Sequence, residues 1–494
     1  MTDTFISSSA HVAKRYRTER RFQTYGLISL GITVAFLAFL LLDIVTKGLP
    51  AFTEHTMNIP VAVSATSVDA TAPEKGEYAT LVKDALKNAF PAVTNRADKK
   101  ALLGLLSSGA SDDLREMVVA NPKLVGTNVT LPLLMSADAD LYMKGNETGI
   151  EKRSGAGALE LTKTGEAYTV TGDIAGIKEQ SILRLNGGAL RVSKINGAML
   201  ETETLLEPTT ADAVPVGKWD QLLLSVKQSD RRINDKEAVY LEALKDQGVI
   251  SMNFSWRLFS SGDSREPELS GIKGALVGSL LTLIVALSIC VPIGVAAAIY
   301  LEEFATKGRL TNLIEVNINN LAAVPSIIFG LLGLAVFLNF FGMPRSAPLV
   351  GGFVLALLVL PTIIIAARAA FRSVPPSIKE AALGIGASHQ QAVFHHVLPL
   401  AIPGILTGVI LGVSRALGET APLLMIGMIA FIVDVPKGFT DAATVLPVQI
   451  FLWSDLPEIG FQSRTAAAIM ILMCVLFVLN AIAIFVRKRF ERRW

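Results

Sequence analysis

Cysteine is nearly missing: 494 residues hold only Cys290 and Cys474, both inside long apolar runs. That excludes a disulfide framework, and the two thiols read as small core residues. No G-x-x-x-x-G-K-[ST] run occurs, so nothing cradles a nucleotide phosphate and the chain is not expected to hydrolyse ATP. Nucleophile elbows and metal-ligand spacings are missing too. His395 and His396 are adjacent, point about 100° apart on a helix and cannot form one metal site alone. No enzyme activity, no cofactor and no nucleic-acid partner is therefore expected. Acidic side chains are scarce outside one region: of 43 Asp and Glu, 30 lie between Phe52 and Ser270, against 24 of the 45 Lys and Arg.

Apolar sequence is in excess. The chain is 51% hydrophobic with mean hydropathy +0.48, too apolar for an ordinary soluble protein and too charged for a pure membrane bundle. Six stretches, near 26–46, 272–300, 314–341, 349–370, 400–432 and 465–486, are long enough to cross a bilayer, which takes roughly 20 helical residues. Lys14, Arg15, Arg17, Arg20 and Arg21 precede the first, and Arg487, Lys488, Arg489, Arg492 and Arg493 follow the last. Both termini then face the cytoplasm, as six spans require, and Lys307, Arg309, Arg372 and Lys379 fall on the same side. The outer connections hold only Arg345, Lys437 and Arg464. The first stretch is too long for a secretory signal, no A-x-A-like site follows it, and it reads as an uncleaved anchor.

The chain thus divides into a basic cytoplasmic N-terminus (1–25), a first transmembrane helix (26–46), an extracytoplasmic insert (52–270) and a domain of five further membrane helices (271–494). The insert has its own fold, expected to be α+β. Helices are predicted near Tyr78–Phe90, Lys99–Ser107, Asp112–Val119 and Glu237–Lys245. Short β runs, Tyr168–Val170, Ser181–Leu185 and Leu190–Ser193, alternate with turns at Asn186-Gly187-Gly188 and Asn196-Gly197, and Gly155-Ala156-Gly157 reads as a flexible turn.

In the fifth membrane stretch, Gly404, Gly408, Gly412, Arg415 and Glu419 fall within about an 80° arc of one helical face. The glycines suit a close helix contact. An ionisable group at membrane depth costs at least about 2.5–3.5 kcal/mol, so Arg415 and Glu419 either line a polar pathway or form a self-neutralising pair that braces helices. Arg368, near the cytoplasmic end of the fourth stretch, is expected to snorkel to the interface. Asn317, Asn319, Asn320 and Ser326, beside Pro325, suit interhelical hydrogen bonds or substrate contact.

Between the fourth and fifth stretches, Pro375-Pro376 ends a span, and Ser377 with Glu380 reads as a capping box opening a short helix. Gly384 and Gly386 break it. Ser388 with Gln391 caps a second helix, which should end at or before Pro399. The spacing of Glu380-Ala381-Ala382, Gly386 and Leu398-Pro399 resembles the EAA loop of bacterial ABC-importer permeases. The resemblance implies that segment 375–399 docks on the ATPase and passes its movement to the membrane helices.

The runs Tyr300-Leu301-Glu302-Glu303, Asn320 to Ser326, Leu417 to Pro422 and Leu446 to Ile450 narrow the resemblance to the PstA-type permease of the bacterial phosphate-specific ABC importer. It covers nearly all of 272–494. It implies a six-helix ABC-importer permease in the inner membrane, surrounded by lipid, that moves inorganic phosphate. Its implied partners are two copies of an ABC ATPase subunit, a second permease of similar fold and a periplasmic phosphate-binding protein. In that setting Arg415 offers a forked donor matched to phosphate oxygens, and Glu419 would orient it or accept from a protonated phosphate. The large insert departs from the family, as does Ala367-Arg368-Ala369 where many relatives carry acidic residues. A permease for sulfate or molybdate, or a membrane sensor or scaffold whose outer domain binds a partner, is the alternative.

Overall fold

The computed structural model describes residues 9–145, 149–164, 167–174, 176–306 and 308–490; Lys307, Arg492 and Arg493, counted above for orientation, lie outside them. Helix α1 (Ser9–Gly48) is one continuous rod. Its apolar side chains from Leu27 to Leu40 are exposed. It meets the rest of the chain at its far end, where Gly48 lies against Ala466, Ala467 and Met470.

The insert opens with β1 (Thr53–Ala62), α2 (Tyr78–Ala89), α3 (Arg96–Leu103), α4 (Asp112–Ala120), β2 (Asn128–Leu134) and α5 (Ala137–Met143). Seven strands follow: β3 (Ile150–Ser154), β4 (Leu159–Thr164), β5 (Ala167–Gly172), β6 (Ile182–Leu185), β7 (Gly188–Asn196), β8 (Met199–Leu206) and β9 (Asp220–Leu224). The return path is α6 (Asp235–Asp246), β10 (Ile250–Phe254) and α7 (Arg257–Ser260). β10-β1-β2 form one antiparallel sheet, and β3-β9-β6-β7-β8-β5-β4 form a second. Local chemistry explains several ends. Asn234 and Glu237 make a reciprocal capping box at the start of α6. Asn186 and Gly187, both at positive φ, form the two-residue turn between β6 and β7. Gly155 and Gly157 are not a flexible turn: the Trp219 ring packs on Gly155, and its indole N–H donates to the Gly157 carbonyl at 2.7 Å.

Helix α6 joins the two layers through Glu242, which accepts from Lys152 at 2.9 Å, from Arg184 and from the Tyr142 hydroxyl at 3.2 Å. Burial alone would raise the Glu242 carboxyl, but the Lys152 hydrogen bond and the Arg184 charge outweigh it and hold it below its usual value. At the base of the insert, Lys144 donates to the carbonyls of Pro50 and Thr53 at 2.8 and 2.6 Å and to Asp140 at 2.5 Å, which fixes the insert to the end of α1.

The membrane portion comprises α8 (Lys273–Ile299), α9 (Arg309–Ala322), α10 (Ser326–Gly333), α11 (Pro348–Ser373), α12 (Pro376–Gly384), α13 (His389–Gln391), α14 (Leu398–Gly418), α15 (Ala421–Met425), α16 (Leu446–Ser454) and α17 (Ile459–Phe490). Five continuous helical segments among the described residues are long and apolar enough to cross a bilayer, and the count is six if α9 and the helix that begins with α10, bent by 99° at their junction, make one span. The expected straight span over 314–341 is thus broken at Ala323-Val324-Pro325, because a residue before proline avoids the α region and proline cannot donate backward. The stretch 400–432 is also interrupted. Helix α14 ends at Gly418, Glu419 is extended at ψ 117°, and Pro422 sits in the first turn of α15. Around these elements, α8, α10, α11, α14 and α15 enclose the bundle core.

Candidate functional site

The segment 375–399 projects from the end of the bundle opposite the insert. Helix α12 starts with Pro376 at its first position and Pro375 as its cap, with no side-chain cap bond. The expected Ser377–Glu380 box does not form: proline sets the first helical φ, which puts Ser377 inside the helix and Glu380 a turn further on, exposed. Gly386 takes φ +95°, a left-handed position that favours glycine, and turns the chain after α12. Ser388 and Gln391 do make the predicted capping box. The helix they open does not stop at Pro399. It widens into a π turn over Ala392–Val397 and continues as α14, and the wider turn accommodates the proline ring and its missing N–H. Ala382 is buried, Ala381 is exposed, and Leu398 and Pro399 are half-buried at the start of α14. His395 and His396 are exposed.

The glycine face of α14 lies on α11. A Cβ at Gly404 would meet Ala370 at 2.6 Å, one at Gly408 would meet Ala366 at 2.3 Å, and one at Gly412 would meet Val359 at 2.6 Å. These glycines are therefore a packing seam. Arg415 and Glu419 do not share a continuous helix, since Glu419 is the extended residue that closes α14, yet Arg415 Nε comes within 3.6 Å of Glu419 Oε1. Their side chains keep 37% and 23% exposure. At 1.5 Å per residue, Arg415 stands about 26 Å along the axis from Leu398, so the pair lies at the insert-side end of the bundle. Next to it, Gly330 of α10 packs against the backbone of Pro422.

Arg368 does not snorkel. It is 8% exposed and buried among the helices, where Nε donates to Glu302 Oε1 and Nη2 to Glu315 Oε1, both at 2.5 Å. Two carboxylates within reach hold the guanidinium inside the protein and offset its burial. Glu302 also accepts from Arg372 Nε at 2.9 Å. The neighbouring Glu303 accepts from Lys379 Nζ at 2.5 Å, and its carbonyl oxygen lies 2.8 Å from His389 Nε2. Sequence reasoning missed this cluster. Its signal was present: two glutamates directly after an apolar run, and Arg368 and Arg372 four residues apart on one face of α11. Asn317 donates to the Leu313 carbonyl of its own helix, while Asn319 and Asn320 are exposed, so bonding between helices of this chain does not account for them.

Residues 290–494 match the family described as binding-protein-dependent transport system inner membrane component. Residues 9–151 match a domain of unknown function, DUF3333. The phosphate transport system permease protein PstA 1 of Mycobacterium tuberculosis (strain CDC 1551 / Oshkosh) is 31% identical over 238 residues, which span 48% of this chain and 77% of that protein. The probable ABC transporter permease protein YqgI of Bacillus subtilis is 38% identical over 179 residues, 36% of this chain and 59% of that protein. The phosphate transport system permease protein PstC of Haemophilus influenzae is 32% identical over 237 residues, 43% of this chain and 73% of that protein. These matches show that the chain belongs to the PstA-type permease subunits of ABC importers, with a sheet-rich domain inserted after its first helix.

Proposed function

We propose that this permease passes inorganic phosphate inward, driven by ATP hydrolysis on two copies of a partner ATPase. It would pair with a second permease and receive its substrate from a phosphate-binding protein. The observation that carries the reading is the Arg415–Glu419 pair, a forked cation with its own carboxylate held half-exposed on the bundle wall at the insert-side end. A charged pair there needs either water or a second protein surface to face it. A permease partner enclosing a polar path supplies both. Arg415 would contact phosphate oxygens through its guanidinium. Glu419 would orient that group or accept a hydrogen bond from a protonated phosphate, which sulfate lacks at neutral pH.

In this reading the termini and the loop 375–399 face the cytoplasm, and residues 52–270 lie in the periplasm. Glu380, Ala381, Ala382, Gly386, Leu398 and Pro399 form the surface that docks on the ATPase. ATP hydrolysis by the reconstituted complex, measured with binding protein and either phosphate or sulfate, tests the reading. Stimulation by phosphate and not by sulfate is expected, and the reverse order would reassign the substrate.

A further inference from the structure

Helix α8 does not end in a cap. It widens into a π turn over Tyr300–Phe304, which aims two adjacent glutamates at different neighbours. Glu303 faces the loop: its carboxylate holds Lys379 of α12, its carbonyl oxygen meets His389, and the Phe304 ring stands edge-on to the His389 ring at 5.0 Å. Glu302 faces α11, where it holds Arg368 and Arg372. The remaining fork of Arg368 reaches Glu315 on α9.

Helix α9 has no buried residue. A helix so weakly packed is positioned by its few strong ties. Among them are Arg368–Glu315, the Thr311 hydroxyl bond to the Thr306 carbonyl at 2.7 Å, and the covalent link through the break at Pro325 to α10. Helix α10, in turn, packs against Pro422, three residues from Glu419. Side-chain ion pairs, the covalent link at Pro325 and the backbone contact of Gly330 with Pro422 therefore form one physical chain from the loop at 375–399 to the surroundings of Arg415 and Glu419, with α9, which buries no residue, inside it.

We propose that Arg368 is a positioning residue for transport: by joining the Glu302–Glu303 turn to Glu315, it makes α9 follow the displacement of the coupling loop and pivot at Pro325. The proposal rests on the transport reading above. It assigns a role to the Glu302–Glu303 run and to an arginine that contacts no substrate. Lysine in place of Arg368 keeps the charge but not the fork, so it holds Glu302 or Glu315 and not both at these geometries.

The test uses the reconstituted complex with Cys290 and Cys474 replaced and spin labels at the exposed positions 313 and 365, on α9 and α11. Trapping with ATP and vanadate should change the label distance in the parent protein. In Glu315→Gln and in Arg368→Lys the distance should stop responding while ATP hydrolysis continues, and phosphate moved per ATP should fall about tenfold, within the usual range of coupling between sites. Unchanged distance response and stoichiometry in both variants would overturn the proposal. A parallel loss of hydrolysis and transport, with the ratio kept, would reduce the cluster to a structural brace and also overturn it. If the parent complex responds to ATP but not to phosphate, the coupling role stands and the substrate assignment alone fails.

Discussion

Arg415 and Glu419 sit 3.6 Å apart with both side chains partly exposed, a geometry that serves anion contact or helix bracing. The two roles separate by mutation. If Arg415 contacts phosphate, Arg415→Lys should cut uptake at least about tenfold despite keeping the charge, because an ammonium lacks the guanidinium fork. If the pair only braces, the reversed pair Arg415→Glu with Glu419→Arg should restore uptake. Membrane levels must be measured alongside. A well-expressed reversed pair transporting at the parent rate would sink the pathway role. Arg368 shows why residue type alone misleads: an arginine near a span end normally reaches for water, and here two glutamates from other helices hold it inside.

At the scale of elements, the loop from α12 to α14 depends on one left-handed residue and one helix widening. Gly386→Val places a β-branched side chain at φ +95°, at a cost of about 1–2 kcal/mol, and should shift the tip of the loop without unfolding the bundle. Glu380→Lys reverses the charge of an exposed residue on the same surface. Both variants should insert normally yet lose ATP-coupled uptake, read as retained membrane protein with phosphate transport near background. Normal uptake by the fully expressed double variant would remove the docking role from this loop. The seam between α11 and α14 makes a contrasting prediction. Gly408→Leu must displace Ala366, so overpacking of about 1–3 kcal/mol should lower the amount of folded protein before it changes coupling.

At the scale of the whole molecule, the insert is an excursion whose ends meet. Ser255 N donates to the Phe52 carbonyl at 2.9 Å, so residues 53–254 can be replaced by a short turn without moving α1 or α8. That variant should still insert and bind the ATPase, and should lose phosphate uptake if the insert docks the binding protein or holds the assembly. Uptake at the parent rate would rule out both roles. The insert also touches the bundle directly: Arg232 donates to the Pro457 carbonyl at 3.3 Å, and buried Arg464 of α17 lines one cavity with Ala137, Asp140 and Lys144 of the insert. Removing it therefore exposes Arg464, and Arg464→Leu in the shortened chain should raise its yield.

Features governed by local rules were legible in the sequence. Run length marked the long apolar helices, Asn186-Gly187 marked a hairpin, Ser388 with Gln391 marked a cap, and the four helices expected in the insert fell within a few residues of their places, while α5 and α7 were not foreseen. These depend on neighbours a few positions away, so composition and spacing carry them. Features that depend on distant partners were not legible. Whether a proline breaks a span, as Pro325 does, or is absorbed by a π turn, as Pro399 is, depends on what packs against the freed backbone. Whether Arg368 faces water or two carboxylates depends on the end of α8 and on α9, whose bonding glutamates lie 66 and 53 residues away along the chain. The sequence by itself determined the class of the protein and the position of the two-helix loop at 375–399, because both are written in contiguous residues. Only the tertiary structure decided which charges meet, since a buried charge is stable only where folding brings a partner to it.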